Sequence, residues 1–154
     1  MYTIKLTCGT ETIVDSDISD AIRNAKWRLH TNGYVMTRWN GKTGLLHRLL
    51  LGLEPGKASS RVCVDHINGN RLDNRRSNLR LCDHSQNVSN TPKRIDNTSG
   101  VKGVCWYAKR NKWTTYVTFR GKQYYLGYYE NFDEAVAVVA AARLRLHGEF
   151  ANHG

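Results

Sequence analysis

The stretch between residues 62 and 90 constrains the fold of this chain more than any other part of the sequence. A short apolar segment ends at Asp65 and His66, and a polar loop rich in Asn and Arg follows it. A second apolar segment, Leu79 to Cys82, leads into residues 83–90, whose Asp, Ser and Asn side chains are typical of a capped helix. The pattern predicts strand, loop, strand and short helix, with an acid and an imidazole side by side.

These two side chains suit the hydrolysis of a phosphodiester bond. The reaction needs a base that takes a proton from water, a cation that stabilises the developing charge, and positive groups that hold the phosphate backbone. His66 suits the base because its ordinary pKa is about 6.5, and Asp65 offers the hard oxygen that Mg²⁺ prefers. The alternative is an ordinary turn, in which Asp65 only caps the backbone and Asn68-Gly69 supplies the turn residues.

The order D-H-I-N-G-N followed by N-L-R resembles the HNH nucleases, which have the ββα-metal fold, and in particular the homing-type enzymes of phages and introns. The resemblance runs from Leu46 to Asn90, because Leu46-His47-Arg48-Leu49 also looks like this family's lead-in. It implies a metal-dependent, site-preferring DNA endonuclease that makes a nick or a double-strand break.

The resemblance also implies the roles of individual residues. His66 would be the catalytic base, and Asn78 a clamp across the loop that orients the base peptide. Asp65 and Asn87 would hold the metal ion, Mg²⁺ or Mn²⁺, with His84 as the alternative to Asn87. The natural phosphate contacts in this part of the chain are Arg48, Arg71, Arg75, Arg76 and Arg80.

Two further residues near this motif bear on the site. His47 either approaches the site or a phosphate, or is a strand-edge histidine whose hydrogen bonds are satisfied locally. Asp73 is a candidate partner for one of the arginines, which would then be engaged within the protein.

The pattern of the sequence changes near residue 100. Polar residues 93–99 predict a linker between a first domain, 1–92, and a second domain, 100–154. In the second domain, alternating segments predict three strands at 101–107, 112–120 and 123–129. Asn131 is a helix cap, and Gly148 stands where a helix ends. The predicted class is α+β, with a strand-rich first region and a ββα-metal core, then a three-stranded antiparallel sheet packed on one helix.

The second domain resembles the APETALA-type (ethylene-response-factor) DNA-binding domain, since its G-V, W, Y-L-G-Y-Y and E-A-V-A elements come in that family's order. The resemblance implies that one face of the sheet enters a DNA groove. The alternation leaves open whether Trp106 and Tyr107 are core residues instead. This chain has Cys105, Trp106 and Tyr107 where the relatives have arginines. The residues expected to face outward onto DNA are Lys102, Trp106, Lys109, Arg110, Lys112, Trp113, Arg120 and Lys122.

Composition narrows the class of protein and its partners. The 154 residues carry 23 Lys and Arg against 13 Asp and Glu, a net charge of +10, spread along the whole chain. A basic body predicts a polyanionic partner, here double-stranded DNA. Hydrophobic residues make up 40% and charged residues 23%, which excludes a wholly disordered chain and a membrane protein.

The four cysteines and the N-terminal residues bear on cofactor and location. No two cysteines form a C-x-x-C pair, so we expect neither structural zinc nor a compact disulfide framework. Residues 1–17 lack the pattern of a signal peptide. We therefore expect a cytoplasmic monomer without membrane attachment, located in the host cell if a phage encodes it. Two alternatives stay open, a catalytically inactive DNA-binding protein and a protein that binds or cleaves RNA.

Overall fold

The structure is a computed structural model that describes residues 1–56, 62–91, 93 and 95–152. Part of the predicted linker, Arg94, lies outside the described residues. The strands are β1 Tyr2–Lys5, β2 Glu11–Val14, β3 Arg28–Leu29, β4 Val35–Trp39, β5 Lys42–Leu45, β6 Cys63–His66, β7 Leu79–Cys82, β8 Val104–Tyr107, β9 Lys112–Phe119 and β10 Lys122–Tyr129. The α-helices are α1 Asp20–Asn24, α2 Leu46–Leu50, α3 His84–Ser89 and α4 Phe132–His147. Single 3₁₀ turns lie at Arg76–Asn78, Ala108–Arg110 and Gly148–Phe150.

The chain forms two compact units, residues 1–83 and residues 84–154. The first unit holds three small antiparallel sheets, β1-β2, β3-β4-β5 and β6-β7. The second unit holds one antiparallel sheet in the order β10-β9-β8, together with α3 and α4. This arrangement confirms the predicted α+β class. Among the described residues, no helix is both long enough and apolar enough to cross a membrane.

The hairpin of β1 and β2 packs its apolar residues into the core of the first unit, where Ile4 and Val14 are buried. The hairpin also bonds to a distant part of the chain. The amide of Ile13 donates to the carbonyl of Leu72 at 2.8 Å, and the amide of Asn74 donates to the carbonyl of Ile13 at 2.8 Å. These bonds fasten the polar loop of residues 67–78 to β2.

The sheet β3-β4-β5 leads directly into α2. Asn40 and Gly41 make the two-residue turn between β4 and β5 with φ of 47° and 75°, which Asn and Gly tolerate best. Leu46 and Leu50 of α2 are buried and join Trp27, which is almost fully buried, in the core. The indole N–H of Trp27 donates to the carbonyl of Ile22 at 2.8 Å, which meets the cost of burying that polar group. Helix α2 thereby presents His47 on the inside of the unit.

In the second unit, α4 covers one face of the sheet. Its buried residues Ala135, Val139 and Ala142 pack against Val104 of β8 and Val117 of β9. The side chain of Asn131 accepts from the amides of Asp133 and Glu134 at 2.8 Å and 3.1 Å, and α4 ends before Gly148. Both predicted helix ends are confirmed.

Trp106 and Trp113, both predicted to face outward, lie on the same side of the sheet, where Trp106 keeps 46% of its surface exposed and Trp113 is half-buried. Trp106 lies two residues after the buried Val104, and Trp113 lies two residues before the buried Thr115, so both tryptophans lie on the face that α4 covers. They form a cross-strand pair with ring centroids 5.0 Å apart, and the Trp113 ring is 4.7 Å from that of Phe132, the first residue of α4. This face of the sheet therefore lies toward α4, and the residues at the alternate positions of each strand lie on the outer face.

Candidate active site

Strands β6 and β7 place the Asp-His pair at the end of a two-stranded ribbon. Asp65 is opposite Arg80, and His66 is opposite Leu79. The amide of Ile67 donates to the carbonyl of Asn78 at 2.9 Å, so the pairing continues one step into the loop. Asp65 and His66 are both buried, which is uncommon for charged and titratable side chains and indicates that specific partners hold them.

The carboxylate of Asp65 is held by Arg80 across the ribbon. Arg80 donates to Asp65 Oδ2 from Nε at 2.9 Å and from Nη2 at 2.8 Å. Both side chains are nearly buried, with 12% of Arg80 and 7% of Asp65 exposed. Losing either partner of such a pair would leave the other charge buried and unpaired. The pair therefore holds both side chains in a fixed orientation.

The His66 ring is hydrogen-bonded through its far nitrogen. Nε2 of His66 lies 3.2 Å from Oδ1 of Asn74. The amide nitrogen of Asn74 donates to Thr12 Oγ1 at 2.8 Å and to the carbonyl of Arg71 at 3.1 Å. Burial lowers the pKa of His66, although the bond to Asn74 acts in the opposite direction. The ring is therefore neutral near pH 7, as a base must be.

Asn78 ties the two sides of the polar loop together. Its Oδ1 accepts from the amide of Asn68 at 3.0 Å, and its Nδ2 donates to Asn68 Oδ1 at 2.9 Å and to the carbonyl of Asp73 at 2.8 Å. The Asn68 side chain in turn donates to Asp73 Oδ2 at 3.0 Å. These contacts hold the loop that begins directly after His66.

His47 approaches this site, which is one of the two interpretations that the sequence left open. It lies on helix α2 and not at a strand edge, and its ring centroid is 5.2 Å from that of His66 and 4.9 Å from that of Tyr34. The side chain is buried, and its Nδ1 has no hydrogen-bond partner among the described residues. Burial lowers the pKa of His47 to about 3, so this ring is neutral as well.

The five arginines of the first unit that were predicted to contact phosphate have partners within the protein, and the bond of one of them, Arg80, to Asp65 is described above. Arg75 pairs with Asp73 at 2.6 Å, and this guanidinium is the main cause of the lowered pKa of the Asp73 carboxyl. Arg76 pairs with Asp17 at 2.7 Å. The remaining two bond to backbone, Arg48 to the carbonyl of Val62 at 3.1 Å and Arg71 to the carbonyl of Asn32. Arg75 and Arg76 keep 41% and 43% of their side chains exposed, which leaves them able to meet a phosphate as well.

Comparison with known proteins follows this geometry. Residues 45–89 match the family model described as HNH endonuclease. Protein 3.8 of Escherichia phage T7 is 40% identical over 93 residues, which cover 57% of this chain and 72% of the phage protein. An uncharacterized HNH endonuclease of Acanthamoeba polyphaga mimivirus is 31% identical over 144 residues, 93% of this chain and 74% of the relative. This chain belongs to the HNH endonuclease family. No solved structure matches it.

HNH nucleases use a divalent metal ion, and the residues of this HNH endonuclease fit one. A carboxylate has about four lone-pair sites, so Asp65 can hold Arg80 and still offer oxygen to a cation. Among the described residues, no group of three or more His, Cys, Asp and Glu side chains could hold a metal. A site with few protein ligands is compatible with a cation that keeps several waters and uses substrate phosphate.

The two residues predicted as alternative second ligands lie on α3, in the second unit. His84 is exposed and Asn87 is half-buried. Within that unit, Ser89 Oγ lies 2.9 Å from His147 Nδ1, and Lys102 donates to the carbonyls of Ser89 and Thr91 at 3.1 Å and 2.7 Å. Burial lowers the pKa of Lys102 to about 8. The ammonium of Lys102, predicted from the sequence to contact DNA, thus binds carbonyls at the end of α3.

The outer face of the second-unit sheet carries Tyr125 and Tyr128, which the sequence analysis did not single out, and Tyr107, which it left open as a core residue. Tyr107 stacks on Tyr128 with centroids 5.6 Å apart, and Tyr125 meets Tyr128 at 5.3 Å. The guanidinium of Arg110 lies 4.7 Å from the centre of the Tyr128 ring. Because side chains alternate along a strand, the buried Val104 predicts that Tyr107 lies on the outer face. In β10 a register shift between Tyr125 and Gly127 interrupts the alternation, so the sequence does not show which of its side chains face outward.

The other cations predicted to contact DNA from this unit are exposed or only partly engaged. Lys112 pairs with Glu130 at 3.1 Å, a surface contact that contributes little to stability. Arg120 and Lys122 lie over the rings of Phe119 and Tyr124 at 5.3 Å and 5.6 Å. The side chain of Lys109 is exposed.

Proposed function

We propose that this HNH endonuclease is a metal-dependent, site-preferring enzyme that hydrolyses phosphodiester bonds of double-stranded DNA. The observation that carries the proposal is the buried Asp65–His66 pair, with the His66 ring held through Nε2 and the following loop closed by Asn78. The net charge of +10 supports a polyanionic substrate. Homing-type specificity is part of this proposal and rests on the resemblance of the motif.

His66 is the base in the proposed reaction. Its neutral ring accepts a proton from the attacking water through the nitrogen that Asn74 does not contact, and Asn78 keeps the ring in position by holding the loop behind it. Asp65 would hold the divalent ion, Mg²⁺ or Mn²⁺, which supplies charge stabilisation at the phosphate when it is bound. Arg75 and Arg76 reach outward with partly exposed guanidinium groups and steady the phosphate backbone.

We propose the domain limits that the sequence suggested, residues 1–92 for the nuclease and 100–154 for an APETALA-type targeting domain. A three-stranded sheet with one helix behind it supports the second assignment. The outer-face tyrosines and Arg110 are then the candidates for contact with bases, and Lys109, Lys112, Arg120 and Lys122 for contact with phosphates.

The test of the proposed function is cleavage of supercoiled plasmid with Mg²⁺, by the natural chain and by His66→Ala. Because base catalysis contributes roughly 10²–10⁴-fold, His66→Ala should lose cleavage and keep its affinity for DNA. Competition by duplex RNA of matched length separates DNA from RNA as the substrate. Equal cleavage rates in the two proteins would refute the mechanism, and an inactive natural chain that binds DNA would make it a binding protein.

A further inference from the structure

A chain of hydrogen bonds with one fixed direction runs from the N-terminal hairpin to the His66 ring. Thr12 of β2 and Asn74 of the polar loop are both fully buried. The Thr12 hydroxyl donates to the carbonyl of Leu72 at 2.8 Å. A carbonyl can only accept, so the hydroxyl proton points to Leu72 and the oxygen of Thr12 is left to accept.

The same reasoning fixes the orientation of the Asn74 amide. Its Nδ2 lies 2.8 Å from Thr12 Oγ1 and 3.1 Å from the carbonyl of Arg71. Only the NH₂ group can donate to the Arg71 carbonyl, so the amide cannot be flipped. Its oxygen therefore faces Nε2 of His66 at 3.2 Å.

An amide oxygen can only accept a hydrogen bond, so the proton between Asn74 and His66 belongs to Nε2. We propose that Thr12 and Asn74 are positioning residues that hold the neutral His66 ring in the tautomer with its proton on Nε2. The lone pair that accepts the proton of water is then on Nδ1. This inference rests on the proposed function of His66 as the base, and it extends the catalytic apparatus to a hairpin outside residues 45–89.

The first experiment reads the tautomer directly and needs no activity. Long-range nitrogen–proton correlation NMR on the full, metal-free chain identifies which ring nitrogen of His66 carries the proton. The proton should be on Nε2 and protected from exchange with water, because it is buried and bonded. In Asn74→Ala this protection should be lost. A proton found on Nδ1 in the natural chain would overturn the inference.

The second experiment separates positioning from folding by kinetics. Thr12→Val keeps the shape of the side chain and removes the acceptor for Asn74, so kcat should fall by about tenfold with KM nearly unchanged. Thr12→Ser keeps the hydroxyl and should restore the rate. The matched control is Thr37→Val, since Thr37 is also buried in the first unit and its hydroxyl donates to the carbonyl of Lys26, at 2.7 Å.

The outcomes of the kinetic experiment are decisive in both directions. In an Asn74→Ala background, Thr12→Val should cause no further loss of kcat, because both changes act on the same ring. An equal loss of kcat in Thr12→Val and Thr37→Val would reduce Thr12 to a structural residue and overturn the proposal. If the natural chain cleaves no nucleic acid, the proposed function fails, while the NMR result still decides the tautomer.

Discussion

At the scale of single residues, the site depends on two imidazoles that are kept neutral by burial. His47 and His66 lie edge to face, and Tyr34 closes on both rings, with centroids 4.9 Å and 6.0 Å away. Charging either ring would put a cation among aromatic groups with little solvent. The cluster thereby favours the state in which His66 can accept a proton.

The buried His47 should make stability depend on pH. Its pKa is about 3 in the folded chain and 6.5 in the ordinary state, so below pH 6.5 the unfolded chain binds a proton that the folded chain does not. The free energy of unfolding therefore decreases as the pH is lowered below 6.5, by up to about 1.4 kcal/mol per pH unit. Urea unfolding should show a shallower loss for His47→Leu than for the natural chain. Equal slopes from neutral pH down to about 5 would contradict the burial of this ring.

The second metal ligand is a residue-scale prediction from the sequence, and variants of α3 test it. If Asn87 is a ligand, Asn87→Ala should raise the Mg²⁺ concentration needed for half-maximal cleavage, and Asn87→Asp should keep or lower it by adding an anionic oxygen. His84→Ala should change that midpoint little. Titration of all variants on one substrate measures it. A large shift in His84→Ala alone would make His84 the ligand.

Local sequence reasoning finds the motif of the site and misses its supports. Asp65, His66 and Asn78 stand in an ordered motif that the sequence singles out, and the role predicted for Asn78 comes from the family resemblance. Thr12 carries no such signal, because its partner Asn74 is 62 residues away and an isolated threonine in a strand is common. Of the two interpretations of His47, the structure supports approach to the site and not a strand edge; the sequence could not decide, because apolar neighbours suit a buried strand and a short helix equally.

At the scale of elements, helix α4 is the most predictable part of the molecule because both of its ends are marked. Asn131→Ala removes the acceptor for two amides and should lower the free energy of unfolding of the second unit by about 1 kcal/mol. Asn131→Ser keeps a capping oxygen and should stay near the natural value. Thermal or urea unfolding of the two variants measures the difference. No loss in Asn131→Ala would show that water replaces this cap.

The strands of the second unit are predictable in number and place, while the side chains that each face presents are not. The three predicted strands are observed, with β8 beginning at Val104 and not at residue 101. Aromatic residues occur at both parities of β8, so composition does not reveal which one packs on α4. The small buried residues Val104 and Thr115 mark the face that packs on α4, because small side chains let a helix approach the sheet closely.

At the scale of the whole molecule, the prediction concerns affinity for DNA. A chain ending at Asn97 lacks the basic outer face of the second-unit sheet, so its affinity should depend less steeply on salt, by about 0.9 in the log–log slope for each phosphate that the protein no longer neutralises. The truncation also removes Lys102 and His147, which bond to Ser89 of α3. Lys109→Ala in the full chain is the control for a single phosphate. An unchanged slope and target site in the short chain would show that residues 100–154 do not target the enzyme.

The bonds between β2 and the polar loop have a consequence for the point during folding at which the proposed base becomes oriented. Thr12 and Asn74 are 62 residues apart, so bringing them together costs about 4 kcal/mol of loop-closure entropy. Packing of the complete core of the first unit offsets this cost. During synthesis the hairpin leaves the ribosome long before the loop, and the Asp-His motif emerges before Asn74 can engage it. On the proposed mechanism, a nascent or locally opened chain should carry the motif without an oriented base, and cleavage should require the closed first unit.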